Sequence, residues 1–119
     1  MNFNEFASVL LQSGTQAHIF HFQTTSHAEH KALNNYYDEI VELVDGLTES
    51  YQGCNGRVLD WTTKPLINWE EGKSASYFKA LYDFVQKNRQ SVSSETWVQN
   101  QIDEIATLIA ETMYLLTLK

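Results

Sequence analysis

Apolar residues recur along this chain at three- and four-residue steps, in four blocks separated by short polar breaks. That spacing matches one face of an α-helix and not the alternation of a half-buried strand. In the first block Phe3, Phe6, Leu10, Ala17 and Phe20 share a face, which predicts a helix from near Asn2 or Asn4 to Phe22. Gly14 inside it costs about 1 kcal/mol relative to alanine. The pattern breaks at "QTT", residues 23–25. Ser26 and Glu29 then carry the capping-box spacing that opens a helix. Leu33, Tyr37, Ile40, Val44, Leu47 and Tyr51 form the stripe of this second helix. Its expected end is near Gln52, with Gly53 as the left-handed cap.

The third block predicts a helix over about Ser74 to Gln90, with Phe78, Leu81 and Val85 inward and Tyr77, Tyr82 and Phe84 flanking. Serines in "SVSSE" close it and open a fourth helix from about Glu95 to Leu118. Val98, Ile102, Ile105, Ile109, Met113 and Leu116 line that helix. Between helices two and three lies "GCNGRVLDWTTKPLINWEEG", with the chain's one proline and three of its five glycines. "RVLDW" has strand character but no partner strand. Trp61 and Trp69 in this segment are expected to pack over the bundle end. Two helical hairpins joined by one longer crossover define an all-α, ferritin-like four-helix bundle. It forms a single domain over residues 1–119.

Eight basic residues against fifteen acidic ones leave a net charge of −7. Phosphate-backbone binding needs clustered Lys and Arg, so no DNA binding is expected. An acidic surface favours cations instead. Cys54 is the only cysteine, which excludes an intrachain disulfide and a Cys-rich zinc site. The N-terminus lacks a secretory pattern and no apolar run has membrane-spanning length. The expectation is a cytoplasmic protein with no membrane partner. No Gly-rich phosphate loop or nucleophile elbow occurs.

All four histidines, His18, His21, His27 and His30, fall between residues 16 and 35. His18 and His30 flank the bend at similar expected heights. They are either ligands or polar residues on a surface. Asp45 and Glu49 lie further down helix two at i, i+4, with Asp38 and Glu42 nearby. Fifteen residues separate His30 from Asp45, roughly 22 Å along a straight helix, too far to share an ion within one chain. The net rotation is only about 60°, so both lie near one face. Two copies packed antiparallel about a two-fold axis would bring each imidazole end to the partner's carboxylate end.

These residues resemble the DNA-protecting miniferritins, the Dps family of the ferritin-like superfamily. That family carries a His on helix one, His-x3-Asp on helix two and Asp-x3-Glu further along it. His18, His30, Asp45 and Glu49 match at the family's intervals without gaps, and "QAHIF" is similar to the family's "xAHWN". The resemblance implies a two-fold homodimer or larger assembly, with iron or a similar divalent metal between subunits. It further implies ferroxidase activity, the oxidation of ferrous iron. Asn34 stands where the family has aspartate, so it is expected as a weak ligand or a hydrogen-bonding neighbour. The basic N-terminal tail of some members is missing. The rival expectation is a non-catalytic helical interaction protein that has lost the metal.

Overall fold

The computed structural model describes residues 1–119 as four α-helices with no strand. They are α1 (Phe3–Gln23), α2 (His27–Asn55), α3 (Lys73–Val92) and α4 (Thr96–Leu115). α1 packs on α2 and α3, and α4 packs on the same two helices. The diagonal pairs meet only through side chains, as where the Tyr36 and Phe78 rings stand edge to face at 4.7 Å. Phe3 lies on Tyr51 and His21 on His30, so α1 and α2 run antiparallel. Phe6 meets Phe84 and Phe20 meets Tyr77, so α1 and α3 are antiparallel too. All four neighbouring pairs are therefore antiparallel, and α2 and α3 point the same way. That connectivity requires a crossover running the length of the bundle, as the sequence predicts. No helix is long and apolar enough to cross a membrane.

Side-chain caps explain the starts of α1 and α2, whereas α3 follows Gly72 and α4 follows Glu95 without a side-chain cap bond, so the serine expected to open the fourth helix does not cap it. Asn2 accepts the Glu5 amide, and Ser26 accepts the Glu29 amide at 3.2 Å. Only half of the expected capping box forms. The Ser26 amide donates to the Thr24 hydroxyl, and the Glu29 carboxylate instead accepts from the Trp69 indole and the Ser74 hydroxyl. Trp69 thus closes the bundle end, as expected, whereas Trp61 lies along the crossover and donates to the Val58 carbonyl. α2 runs past Gly53 and ends at Gly56, whose φ of 86° no side-chain-bearing residue adopts without strain.

The core holds the expected stripes of α1, α3 and α4. Each fully buried Leu, Ile or Phe among them contributes about 1.5–3 kcal/mol. On α2 the fully buried tyrosine is Tyr36 and not Tyr37. Its hydroxyl lies 2.7 Å from Ser13 Oγ. The Ser13 proton goes to the Leu10 carbonyl, so Tyr36 donates to Ser13. Gly14 has a packing reason: an added Cβ would sit 3.2 Å from Ile40, where α1 and α2 approach closely.

Residues 57–71 form no helix or strand, yet they are held along α1. Asn4 donates to the Asp60 carbonyl, and Ser8 accepts the Thr62 amide at 3.0 Å. Gln12 grips both the amide and the carbonyl of Lys64, and Gln16 does the same to Ile67. Gln23 accepts the Trp69 amide at 2.8 Å. The spacing follows from two rises. Four helical residues advance about 6.0 Å, and two extended residues advance about 6.6 Å. A row of polar side chains every fourth residue therefore meets every second peptide from Asp60 to Lys64, and the next step, across Pro65 to Ile67, takes three residues. The chain supplies a polar zipper where a sheet would supply a neighbouring strand.

Candidate functional site at the histidine bend

The hairpin between α1 and α2 gathers the imidazoles because its loop is only three residues long. The ring that meets His30 is His21, not His18. Their centroids are 3.7 Å apart with planes 19° from parallel. His21 Nδ1 lies 2.9 Å from the His30 carbonyl, and His30 Nδ1 lies 2.9 Å from the His21 carbonyl. A carbonyl only accepts, so both Nδ1 atoms carry hydrogen and donate. In the neutral ring this fixes the tautomer with its lone pair on Nε2. Metal-binding histidines are commonly oriented this way, by a backbone carbonyl on the other ring nitrogen.

The stack sets a limit. An imidazole holds an ion in its own ring plane at about 2.0–2.1 Å. Two near-parallel planes 3.7 Å apart cannot both do so for one ion. His21 and His30 therefore do not chelate a single ion in this arrangement. His21 is buried and positions His30 through the stack and the reciprocal carbonyls.

His18 lies almost one turn earlier, offset from His21 by about 4.5 Å along the axis. Its ring stacks on Tyr37 at 4.0 Å and on Phe22 at 4.7 Å. The Tyr37 hydroxyl donates to Asn34 Oδ1 at 2.7 Å, and Asn34 Nδ2 donates to Asp38 at 2.9 Å. Asn34 thus bonds to both Tyr37 and Asp38, with its carbonyl oxygen engaged by the phenol. His27 is exposed in the first turn of α2.

Asp45 and Glu49 are exposed on α2, and neither takes part in an ion pair. No three His, Cys, Asp or Glu residues of one chain gather to hold a metal. His30 and the Asp45–Glu49 pair are held apart by the length of α2. The face around them is partly apolar. Phe22 is 71% exposed, and Leu11 and Val41 are exposed on α1 and α2. Trp61 and Leu66 of the crossover border Leu11 in a neighbouring groove.

The sequence reading missed His21 as the partner of His30. The available signal was its place in the last turn of α1, opposite the first turns of α2. It also missed the zipper row Asn4, Ser8, Gln12 and Gln16, visible as polar residues at strict four-residue spacing.

Fold and bend together describe a four-helix, one-crossover protein with an imidazole-rich hairpin. The chain belongs to a family of unknown function, DUF5856, whose profile matches residues 21–116. The match begins at His21 and includes His30, Asp45 and Glu49. The chain is also similar to an uncharacterized 14.6 kDa protein in the mobD-ri intergenic region of Enterobacteria phage T4. They are 28% identical over 118 residues, covering 98% of this chain and 88% of that protein. No solved structure matches the chain.

Proposed function

We propose that this chain acts as a two-fold homodimer, possessing the miniferritin-like arrangement in which a divalent metal is held between subunits. The observation that carries the reading is the reciprocal His21–His30 clamp, which presents the His30 Nε2 lone pair from a fixed ring. His18 and His30 of one chain would supply nitrogen, and Asp45 and Glu49 of its twin the carboxylate oxygens that iron favours. Asn34 holds Tyr37, which in turn packs the His18 ring. A bound iron ion would supply ferrous-to-ferric chemistry with oxygen or peroxide as oxidant. The exposed Leu11, Phe22 and Val41 are what a partner copy would cover. A cytoplasmic setting fits the lone free thiol of Cys54.

A mixing experiment tests this. His30→Ala and Asp45→Ala should each lose metal retained by the wild type, read by elemental analysis after loading with ferrous, zinc or manganese ions. Heterodimers of the two variants should regain one metal per dimer, because one of their two sites is intact. Mixed dimers without regained metal would overturn the inter-subunit site.

A second reading is a metal-free helical interaction protein with no catalytic role. The Tyr37–Asn34 bond favours it, since it engages the oxygen a metal would need. A wild-type dimer that retains no metal after loading would select this reading. A monomer at micromolar concentration would remove both.

A further inference from the structure

A groove of about 250 Å³ lies between α1, the crossover and α3, apart from the histidine bend. Val9, Pro65, Ile67, Leu81 and Phe84 give it an apolar body. Most polar groups on its wall are already committed. Gln12 and Gln16 spend both ends of their amides on the crossover backbone, and Ser8 accepts the Thr62 amide. The Thr62 and Thr63 hydroxyls make no hydrogen bond within the protein, and two stronger groups also remain. The Tyr77 hydroxyl has no hydrogen-bond partner in the protein, and burial alone pushes its phenol up to about 12. It therefore keeps its proton and stays a donor. Lys64 holds its backbone in the zipper, but its ammonium is in neither of the two ion pairs of the chain.

We propose that this groove binds a small amphiphilic carboxylate. Its apolar tail lies against Leu81 and Phe84, and its head accepts from the Tyr77 hydroxyl and pairs with the Lys64 ammonium. At about 30 Å³ per water-sized unit the space suits roughly eight to ten heavy atoms, which is the size of octanoate. Tyr77 is half-buried, and a wholly apolar ligand would cut its hydroxyl off from water without offering it an acceptor, an arrangement that costs free energy. A carboxylate satisfies it and adds local charge complementarity in a chain that is otherwise acidic.

The test is a titration of octanoate, and separately of octanol, into the full chain, followed by amide NMR. Octanoate should give saturable shifts at Val9, Thr63, Tyr77 and Leu81. Lys64→Gln, a change at an exposed side chain, should weaken octanoate at least fivefold and leave octanol within twofold. Tyr77→Phe should weaken both ligands. Ala80→Phe fills the groove from an exposed position and should block both. Thermal melting confirms that each variant is folded. Absence of saturable shifts, shifts centred elsewhere, or unchanged octanoate binding in Ala80→Phe would overturn the groove as a site. Octanol binding as tightly as octanoate, with Lys64→Gln without effect, would overturn the carboxylate head.

Discussion

Tyr36 and Tyr77 show how one residue's place decides its chemistry. Burial raises both phenols, Tyr77 to about 12 and Tyr36 beyond the usual range. In the unfolded chain they ionise near pH 10. Above that pH the unfolded state binds fewer protons than the folded state, so stability falls as pH rises. The loss should reach about 1.4 kcal/mol per pH unit for each tyrosine between pH 10 and 12. Denaturant titrations across that range check it, and Tyr77→Phe should remove its share of the slope. Tyr36→Phe should cost about 1–2 kcal/mol at neutral pH, because Ser13 then loses its buried donor. The sequence pattern favoured Tyr37 over Tyr36, as both lie close to the stripe. Adjacent positions differ by only about 100°, and the deciding contact, Ser13, lies on another helix.

Helix ends and the crossover belong to the next scale. The sequence offered Gly53 as the stop for α2, and the helix continued to Gly56. Gly56→Ala should cost about 1–3 kcal/mol, since its backbone conformation is reserved for glycine. Gly53→Ala has open space around its added Cβ within a regular helix and should stabilise by about 0.5–1 kcal/mol. Thermal melts of the two variants should move in opposite directions. The zipper predicts a local effect. Gln12→Ala should speed hydrogen exchange of the Lys64 amide while changing global stability by no more than about 1 kcal/mol. Gln12→Glu should keep that amide protected, because it retains an acceptor and loses only the donor to the Lys64 carbonyl. The four-residue spacing of Asn4, Ser8, Gln12 and Gln16 is visible in the sequence, but what it grips is not. The crossover has no period of its own, and its partner row sits on a face of α1 that reads as ordinary polar surface.

For the whole molecule, the bundle and its crossover were legible because four amphipathic stripes leave few ways to bury themselves. The candidate site was legible only in part. Position along the chain placed His18 and His30 at similar heights, but hairpin register put His21 opposite His30 and Tyr37 opposite His18. Register depends on how tightly the bend closes, which counting residues does not settle. If the α1–α2 face joins two copies, Leu11→Asp combined with Val41→Asp should shift the chain to monomer in sedimentation, with helical content intact. Each substituted position is exposed, so the fold loses no core contact.

The zipper also allots mutational freedom unevenly. Its grip is on peptide groups, so it leaves the side chains at 60 and 62 freer to vary than Ser8, Gln12 and Gln16, whose own side chains make the bonds. Proline alone is barred from 62, 64, 67 and 69, where α1 needs an N–H. The chain's one proline, Pro65, occupies a residue between those anchors. Relatives that keep this architecture should tolerate insertions beside Gly56 or Gly72, outside the anchored span, and reject them between Thr62 and Lys64.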